Sequence, residues 1–412
     1  MNIFTARYLL PIGVPVIEGG ALLVENERIV AVGPRHELAA AYPGTAAVDF
    51  GEAVILPPLV NAHTHLELTD FPQWAEAAGE AVEPSGFVDW VLRLVRVRRT
   101  VGDDAVTASL GHGLWQCKVA GTGAIGDILT TLAATDAYAS RSLAGRVFAE
   151  VLGVDAEQVA ARLDEIAGRL GTPPGPLLTW GLSPHAPYTL SRETLDQAVA
   201  FAAANRLPLA MHWAETAVEG EFLTTGEGDL ARLYAVAGWS RSVPPPALDR
   251  YRGLVIHGVH LDNAAIDTVA RAGLAVVLCP RSNSRFGADR APLAALWRAG
   301  IPLALGTDSR ASSPSLSVWD ELAFARQWFA GVLDPVAWLE IATAGGSAAL
   351  GLGRRMGRLA PGADASFQVI AVPDGACAAT LAEALCAEGW RTLPQALFLR
   401  GECACREPGC RL

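Results

Sequence analysis

Residues 53–65 read "AVILPPLVNAHTH": an apolar run, a proline pair, a second apolar run, then two histidines one residue apart. Along a strand, side chains at i and i+2 share a face, so His63 and His65 can aim both imidazoles at one point. Alone, such a pair is a weak signal. It gains weight because the same pattern, a short apolar run ending on a polar residue, recurs down the chain. "LLTWGLSP" (177–184) leads to His185, "LPLAM" (207–211) to His212, "GLVI" (253–256) to His257 and "IPLALGT" (301–307) to Asp308.

Three further apolar runs lie between these: "GTGAIGD" (121–127), "RVFAEVLG" (146–153) and "LAVVLCP" (274–280). Helical segments separate them all, which implies βα units around a parallel sheet. The resulting count of eight strands suits an α/β fold of the (β/α)8 TIM-like barrel type, although periodicity alone also admits a doubly wound sheet. The chain ends have a different rhythm. "ALLV" and "RIVAVG" flank "ENE" (residues 21–33) as a hairpin would, and "APGADASFQVI" (360–370) reads as a β segment that rejoins it. The expected organisation is a small β-sandwich module from residues 1–56 and 357–412, with a barrel over 57–356.

Bulk properties narrow the function. The net charge is −11, with 51% hydrophobic and 18% charged residues. That describes a chain with a large core and no nucleic-acid surface. An anionic substrate would need a local cationic pocket against an adverse overall field. Seven cysteines without framework spacing point to a reducing compartment, and the cluster Cys403, Cys405 and Cys410 reads as a frayed tail. Neither a signal peptide nor a membrane-spanning run is evident, so a cytoplasmic location without membrane partners is expected. Monomer and homodimer both stay open.

In a β/α barrel, side chains from different strand ends converge on the C-terminal face. Histidines and an aspartate gathered there are the ligand types a divalent transition metal needs. In "MHWAE", His212 and Glu215 could present a ligand and a general acid/base to one cavity, though Glu215 could equally cap the next helix.

Taken together, "NAHTHLEL", "SPHAPYTLS", "MHWAE", "VIHGVHLD", "CPRSNSRFG", "LGTDS" and "GRLAPGADASF" resemble the amidohydrolase superfamily in its purine and pyrimidine deaminase branch. The resemblance covers nearly the whole chain. It implies one divalent metal, zinc or iron, on His63, His65, His212 and Asp308. It further implies Glu215 as proton shuttle, His257 as the residue polarising the attacking water or emerging oxyanion, and a proton-accepting Asp308. His185 falls at a substrate-contacting position. Binuclear relatives use a bridging lysine; Lys118, the single lysine here, lies in the wrong place, while Glu150 leaves a carboxylate bridge formally open beside its use as a pocket hydrogen-bond partner.

Within that branch, "HTHLEL" followed by "GFVDWVLRLVRVRR" is similar to the group that deaminates 6-amino-6-deoxyfutalosine, an adenine nucleoside on an alternative route to menaquinone with a benzoate at its far end. The expected partner is therefore a small-molecule nucleoside. Trp90 could stack on its purine, Glu67 or Asp89 could accept ribose hydroxyls, and Arg281, Arg285 or Arg310 could meet the carboxylate. "PPLVNAHTH" departs from the usual PGLVNAHTH, and Trp213 replaces a usual leucine, which touches pocket shape rather than ligands. A guanine or S-adenosylhomocysteine deaminase, or a chlorohydrolase, would use the same metal centre. A non-catalytic scaffold would be expected to have lost ligands, and none is lost here.

Overall fold

The computed structural model describes residues 1–84, 86–139, 143–239, 251–287, 289–387 and 393–406. The stretch "SVPPPALD" (242–249), whose three prolines would lead one to expect a stiff loop, and Cys410 fall outside them. All eight expected strands form: β1 (Leu59–Thr64), β2 (Thr122–Leu129), β3 (Ala144–Val151), β4 (Leu178–Pro184), β5 (Leu209–Trp213), β6 (Gly253–His257), β7 (Ala275–Leu278) and β8 (Leu303–Leu305). Each pairs in parallel with its sequence neighbour. That order leaves no strand-order reversal, which rules out the doubly wound alternative.

Side chains close the ring between β8 and β1. Asp308 donates its backbone N–H to the His63 carbonyl (3.1 Å). Beside it, Asn61 Nδ2 donates to Thr307 Oγ1 (2.7 Å) and Asn61 Oδ1 accepts the Thr307 N–H (3.0 Å). Gly306 permits this approach, since a Cβ there would sit 2.7 Å from that of His63. Small and branched residues, among them Val60, Ala62, Ala124, Ile128, Ala210, Ile256 and Ala304, fill one cluster inside the barrel. Alternate strand residues such as Ile125, Val147, Leu182, Met211 and Val255 pack outward with helix residues Leu110, Leu163, Leu195 and Leu322.

Both chain ends build two further sheets. One runs in the order Arg28–Pro34, Gly20–Glu25, Asn2–Thr5, Ala46–Asp49, and it contains the expected hairpin. The other orders Glu402–Arg406, Ala396–Leu399, Phe367–Ala371, Ala53–Leu56, Tyr8–Leu9 and Ile17–Glu18, so the 360–370 segment does rejoin the N-terminal strands. Phe4 from the first sheet meets Phe367 and Phe398 of the second, with ring centroids 5.0 and 5.1 Å apart, in a shared apolar layer. Helix Leu381–Ala387 lies instead against the barrel helices, where Cys386 Sγ contacts the Pro335 carbonyl. Among the described residues no helix is long and apolar enough to cross a membrane.

Candidate active site

The C-terminal strand ends gather the predicted residues within a few ångströms. His65 Nε2 and His212 Nε2 are 3.2 Å apart, while His63 Nε2 and His65 Nε2 lie 3.5 and 3.7 Å from Asp308 Oδ1. Two overlapping groups, His63–His65–His212 and His63–His257–Asp308, each hold their ligand atoms within 4.8 Å of one another. Three strand-end residues adopt left-handed backbone angles: Ala214 (φ 54°), His257 (φ 70°) and Asp308 (φ 57°). Such angles are uncommon outside glycine and concentrate where side chains must be re-aimed at a site.

Chemically these residues fit a metal. Among the described residues, neither ring nitrogen of buried His63 has a hydrogen-bond partner, a costly arrangement unless something else binds there. Burial, reinforced by the neighbouring imidazoles, lowers the pKa of His65 to about 3 and that of His257 to about 4, and drives His212 well below its ordinary value. All are thus neutral, with lone pairs to give. His212 Nδ1 faces the His185 carbonyl at 2.9 Å, which fixes the proton on Nδ1 and leaves Nε2 free as a ligand. Two zinc–nitrogen bonds of ~2.0–2.1 Å at a tetrahedral angle would place the nitrogens ~3.3 Å apart, close to the His65–His212 spacing.

A shell of donors orients the acid ligand. Ser282 Oγ (2.6 Å) and Ser312 Oγ (2.8 Å) both donate to Asp308 Oδ2, and the Ser309 N–H donates to Oδ1 (2.7 Å). Asn283 Nδ2 sits 3.0 Å from His257 Nδ1, so the other nitrogen, Nε2, carries the proton, 3.5 Å from Glu215 Oε1. Glu215 is buried, and burial together with Asp308 and Glu219 pushes its carboxyl well above the usual range, toward the protonated form a general acid needs. Glu219 accepts the backbone N–H groups of both Ala214 (3.0 Å) and Glu215 (2.9 Å), pinning the turn that carries the acid. Sequence reading missed Glu219, although its spacing of four from Glu215 was a visible cue.

Asp127 was also missed. It ends the apolar run "GTGAIGD", where its buried carboxylate accepts the Leu66 N–H (2.9 Å) and the Tyr138 hydroxyl, holding the turn that follows the histidine pair. Burial raises its pKa from 3.8 to about 8. The protonated form therefore favours the fold; that contribution is complete below about pH 4 and is lost as pH rises through 8. Asp127→Asn should flatten the fall in melting temperature between pH 5 and 9 relative to the native chain. Equal slopes in parallel thermal melts would refute this.

The remaining predicted residues divide. His185 flanks His212, with ring centroids 5.0 Å apart, and its Nδ1 is 2.9 Å from Thr189 Oγ1. Trp90 joins an aromatic wall with Phe87, Phe286 and Tyr188 nearby, but its indole N–H is committed to the Ala311 carbonyl. Glu150 accepts the Thr130 hydroxyl (2.6 Å) through one oxygen; the other is buried without a partner among the described residues. Glu150 belongs to neither ligand group, and Lys118 ends helix Asp103–Val119 at the entry side of β2, away from the ligands.

Three contacts need correction. Period-two alternation would aim Glu67 with the histidines, but β1 ends at Thr64 and Leu66–Leu68 form a 3-10 turn. Glu67 accordingly turns to accept the N–H groups of Thr130 (3.3 Å) and Thr131 (3.0 Å), a structural rather than a ribose contact. Asp89 pairs at the surface with Arg232 (2.6 Å). Arg281 is no carboxylate receptor either: its guanidinium is consumed by Glu321 (2.5 Å), Ser315 Oγ (2.8 Å) and the Ser315 carbonyl (2.9 Å). Buried Glu321 would otherwise be an unpaired charge, and this pairing relieves it.

The sequence pattern of the amidohydrolase family matches residues 54–390, and a bacterial imidazolonepropionase-like composite domain matches residues 20–44. The chain belongs to the amidohydrolase family and is a hydrolase built on its barrel. Among its relatives, aminodeoxyfutalosine deaminase of Deinococcus radiodurans is 35% identical over 357 residues, covering 81% of each chain. The 5-methylthioadenosine/S-adenosylhomocysteine deaminase of Nitratidesulfovibrio vulgaris (strain Miyazaki F) is 31% identical over 375 residues, covering 86% of this chain and 80% of that one. In fold, the chain superposes on Helicobacter pylori aminofutalosine deaminase in complex with methylthio-coformycin, with a TM-score of 0.85, 22% identity, and coverage of 98% of this chain and 100% of that one. A zinc-bound adenosine deaminase from Xanthomonas campestris aligns with a TM-score of 0.77 at 25% identity, covering 98% and 92%.

Proposed function

We propose that this protein is a metal-dependent deaminase of an adenine nucleoside, with 6-amino-6-deoxyfutalosine as substrate and futalosine plus ammonia as products. The observation that carries the reaction class is the placement of buried Glu215, its pKa raised, beside His257 and a ligand set of neutral histidines with Asp308. Zinc is the proposed ion, held by His63, His65, His212 and Asp308. Such an ion supplies Lewis-acid chemistry and acidifies water to near neutrality.

The chain's own residues do the rest. Protonated Glu215 gives its proton to the ring nitrogen beside the amidine carbon, making that carbon electrophilic. Asp308, aligned by Ser282 and Ser312, takes a proton from the attacking water. His257 presents its Nε2 proton, as Asn283 dictates, to the charge that develops on the new C–O bond. Asp308 then passes its proton to the amino nitrogen, the C–N bond breaks and ammonia leaves, while the proton of the new hydroxyl returns to Glu215 as the carbonyl forms, so one water is consumed per amino group released. The aromatic wall of Phe87, Trp90, Tyr188 and Phe286 offers the apolar surface an adenine nucleoside with an aromatic tail would cover. The reducing cytoplasm inferred from the cysteines suits such a biosynthetic step.

Ammonia release from 6-amino-6-deoxyfutalosine, adenosine, S-adenosylhomocysteine, guanine and a chlorotriazine tests this reading. Preference for the first compound by at least about tenfold in kcat/KM is expected. Equal rates on the three adenine nucleosides would remove the substrate assignment, and chloride release without ammonia would replace deamination by dechlorination.

A further inference from the structure

We infer that Glu219 is a positioning residue of the reaction: its carboxylate holds the left-handed turn at Ala214 and so aims Glu215 at the substrate's ring nitrogen, in place of the helix cap its sequence position promises. The inference rests on the deaminase reading and deepens it by naming the group that sets the direction of the acid.

The argument starts from helix Ala217–Thr225. Thr216 is its N-cap and Glu219 its third residue, a Thr-x-x-Glu spacing. In a capping box of that spacing the threonine oxygen accepts the N–H of the third residue, and the glutamate accepts the N–H of the N-cap. Neither bond is present among the described residues. Thr216 makes no side-chain cap, its Oγ1 is buried without a partner, and the Glu219 N–H donates instead to the Thr216 carbonyl (3.2 Å). The Glu219 side chain reaches further back along the chain. Its Oε1 accepts the Ala214 N–H (3.0 Å) and its Oε2 accepts the Glu215 N–H (2.9 Å). An N-cap threonine ordinarily stabilises its helix, so leaving it idle is a local cost. Breaches of a local rule of this kind concentrate where function needs a group elsewhere.

The turn itself shows what the carboxylate is needed for. Pairing of β5 with β6 ends at Trp213, opposite His257. The next residue, Ala214, takes φ 54°, an angle its methyl group disfavours. Past the strand end, one buried carboxylate binds the N–H groups of both Ala214 and Glu215. From the other side, the Ala214 carbonyl accepts the His260 N–H (2.9 Å). The turn is therefore gripped by the helix that follows it and by the segment after β6, the strand that ends on His257. Held so, Glu215 Oε1 stands 3.5 Å from His257 Nε2, which puts the acid and the polarising group side by side. Reacting groups tolerate little displacement, a misplacement of ~1 Å costing on the order of 10²-fold.

The test compares the zinc-loaded native chain with Glu219→Gln, the double variant Glu219→Gln/Ala214→Gly, and Thr216→Val. Glutamine keeps the shape and one acceptor oxygen but turns an NH2 group toward the second N–H. Glu219→Gln should lower kcat for 6-amino-6-deoxyfutalosine about 10- to 100-fold, with KM within about threefold and zinc content unchanged. Adding Ala214→Gly should recover roughly 5- to 30-fold of that loss, since glycine takes the left-handed angle without the penalty a methyl group carries. A crystal structure of the Glu219→Gln protein should show Glu215 withdrawn from His257, a readout independent of turnover. Thr216→Val should melt no lower than the native chain, because its hydroxyl caps nothing. Native kcat in Glu219→Gln, no recovery on adding glycine, or an unmoved Glu215 overturns the positioning role. A lowered melting temperature in Thr216→Val also overturns it by restoring the ordinary capping box, and this arm decides the matter even if Glu219→Gln does not fold. Absence of ammonia release by the native chain from every nucleoside, with Glu215 displaced in the variant's crystal, overturns the deaminase reading alone.

Discussion

Glu215→Gln is expected to lower ammonia release by about 10²- to 10⁴-fold, the usual contribution of a positioned proton shuttle. Metal content should not change, because Glu215 lies outside both ligand groups. Glutamine keeps the shape and can still accept from His257, but it has no proton to deliver to the ring nitrogen. Burial, Asp308 and Glu219 all disfavour the charged form of the native carboxyl. Pre-steady-state ammonia assays alongside metal analysis separate chemistry from ligand loss. Activity within tenfold of native, at full metal occupancy, would move the proton-transfer role elsewhere.

Removal of the metal is the second large effect. Chelation should abolish turnover and also lower the melting temperature, because the buried imidazoles of His63 and His212, half-buried His65 and buried Asp308 then face one another with no shared partner. Zinc added back at a hundred times its dissociation constant should restore about 2.7 kcal/mol of stability. His212→Ala should reproduce both losses and resist rescue by added zinc, since His65 and His63 would lose the third imidazole of their group. A chelated chain with native melting temperature and full activity would remove the metal from the account.

Much of the fold was legible for a simple reason. Parallel barrel strands are buried on both faces, so they appear as short apolar runs, and each ends in the loop that carries chemistry. His63, His65, His212, His257 and Asp308 could be found because each sits at such an end, and the structure brings all five together. The hairpin over residues 20–34 was equally local. Contacts set by turns and long-range pairing were not. Glu67 shows the limit: its spacing promised a shared face, and one 3-10 turn redirected it. Arg281 resembled a surface or pocket arginine until Glu321, forty residues away in sequence, was found against it.

By itself, then, the sequence determined the strand count, the pairing of chain ends into a second module and which histidines and aspartate sit at the strand ends, because these depend on periodicity and on which residue types occupy strand ends. Only the tertiary structure decided barrel closure, through Asn61 against Thr307, and the pinning of Glu215 by Glu219. The physical reason is that a side chain's hydrogen bonds and its pKa are set by neighbours from distant segments. Burial then fixes what those neighbours are worth.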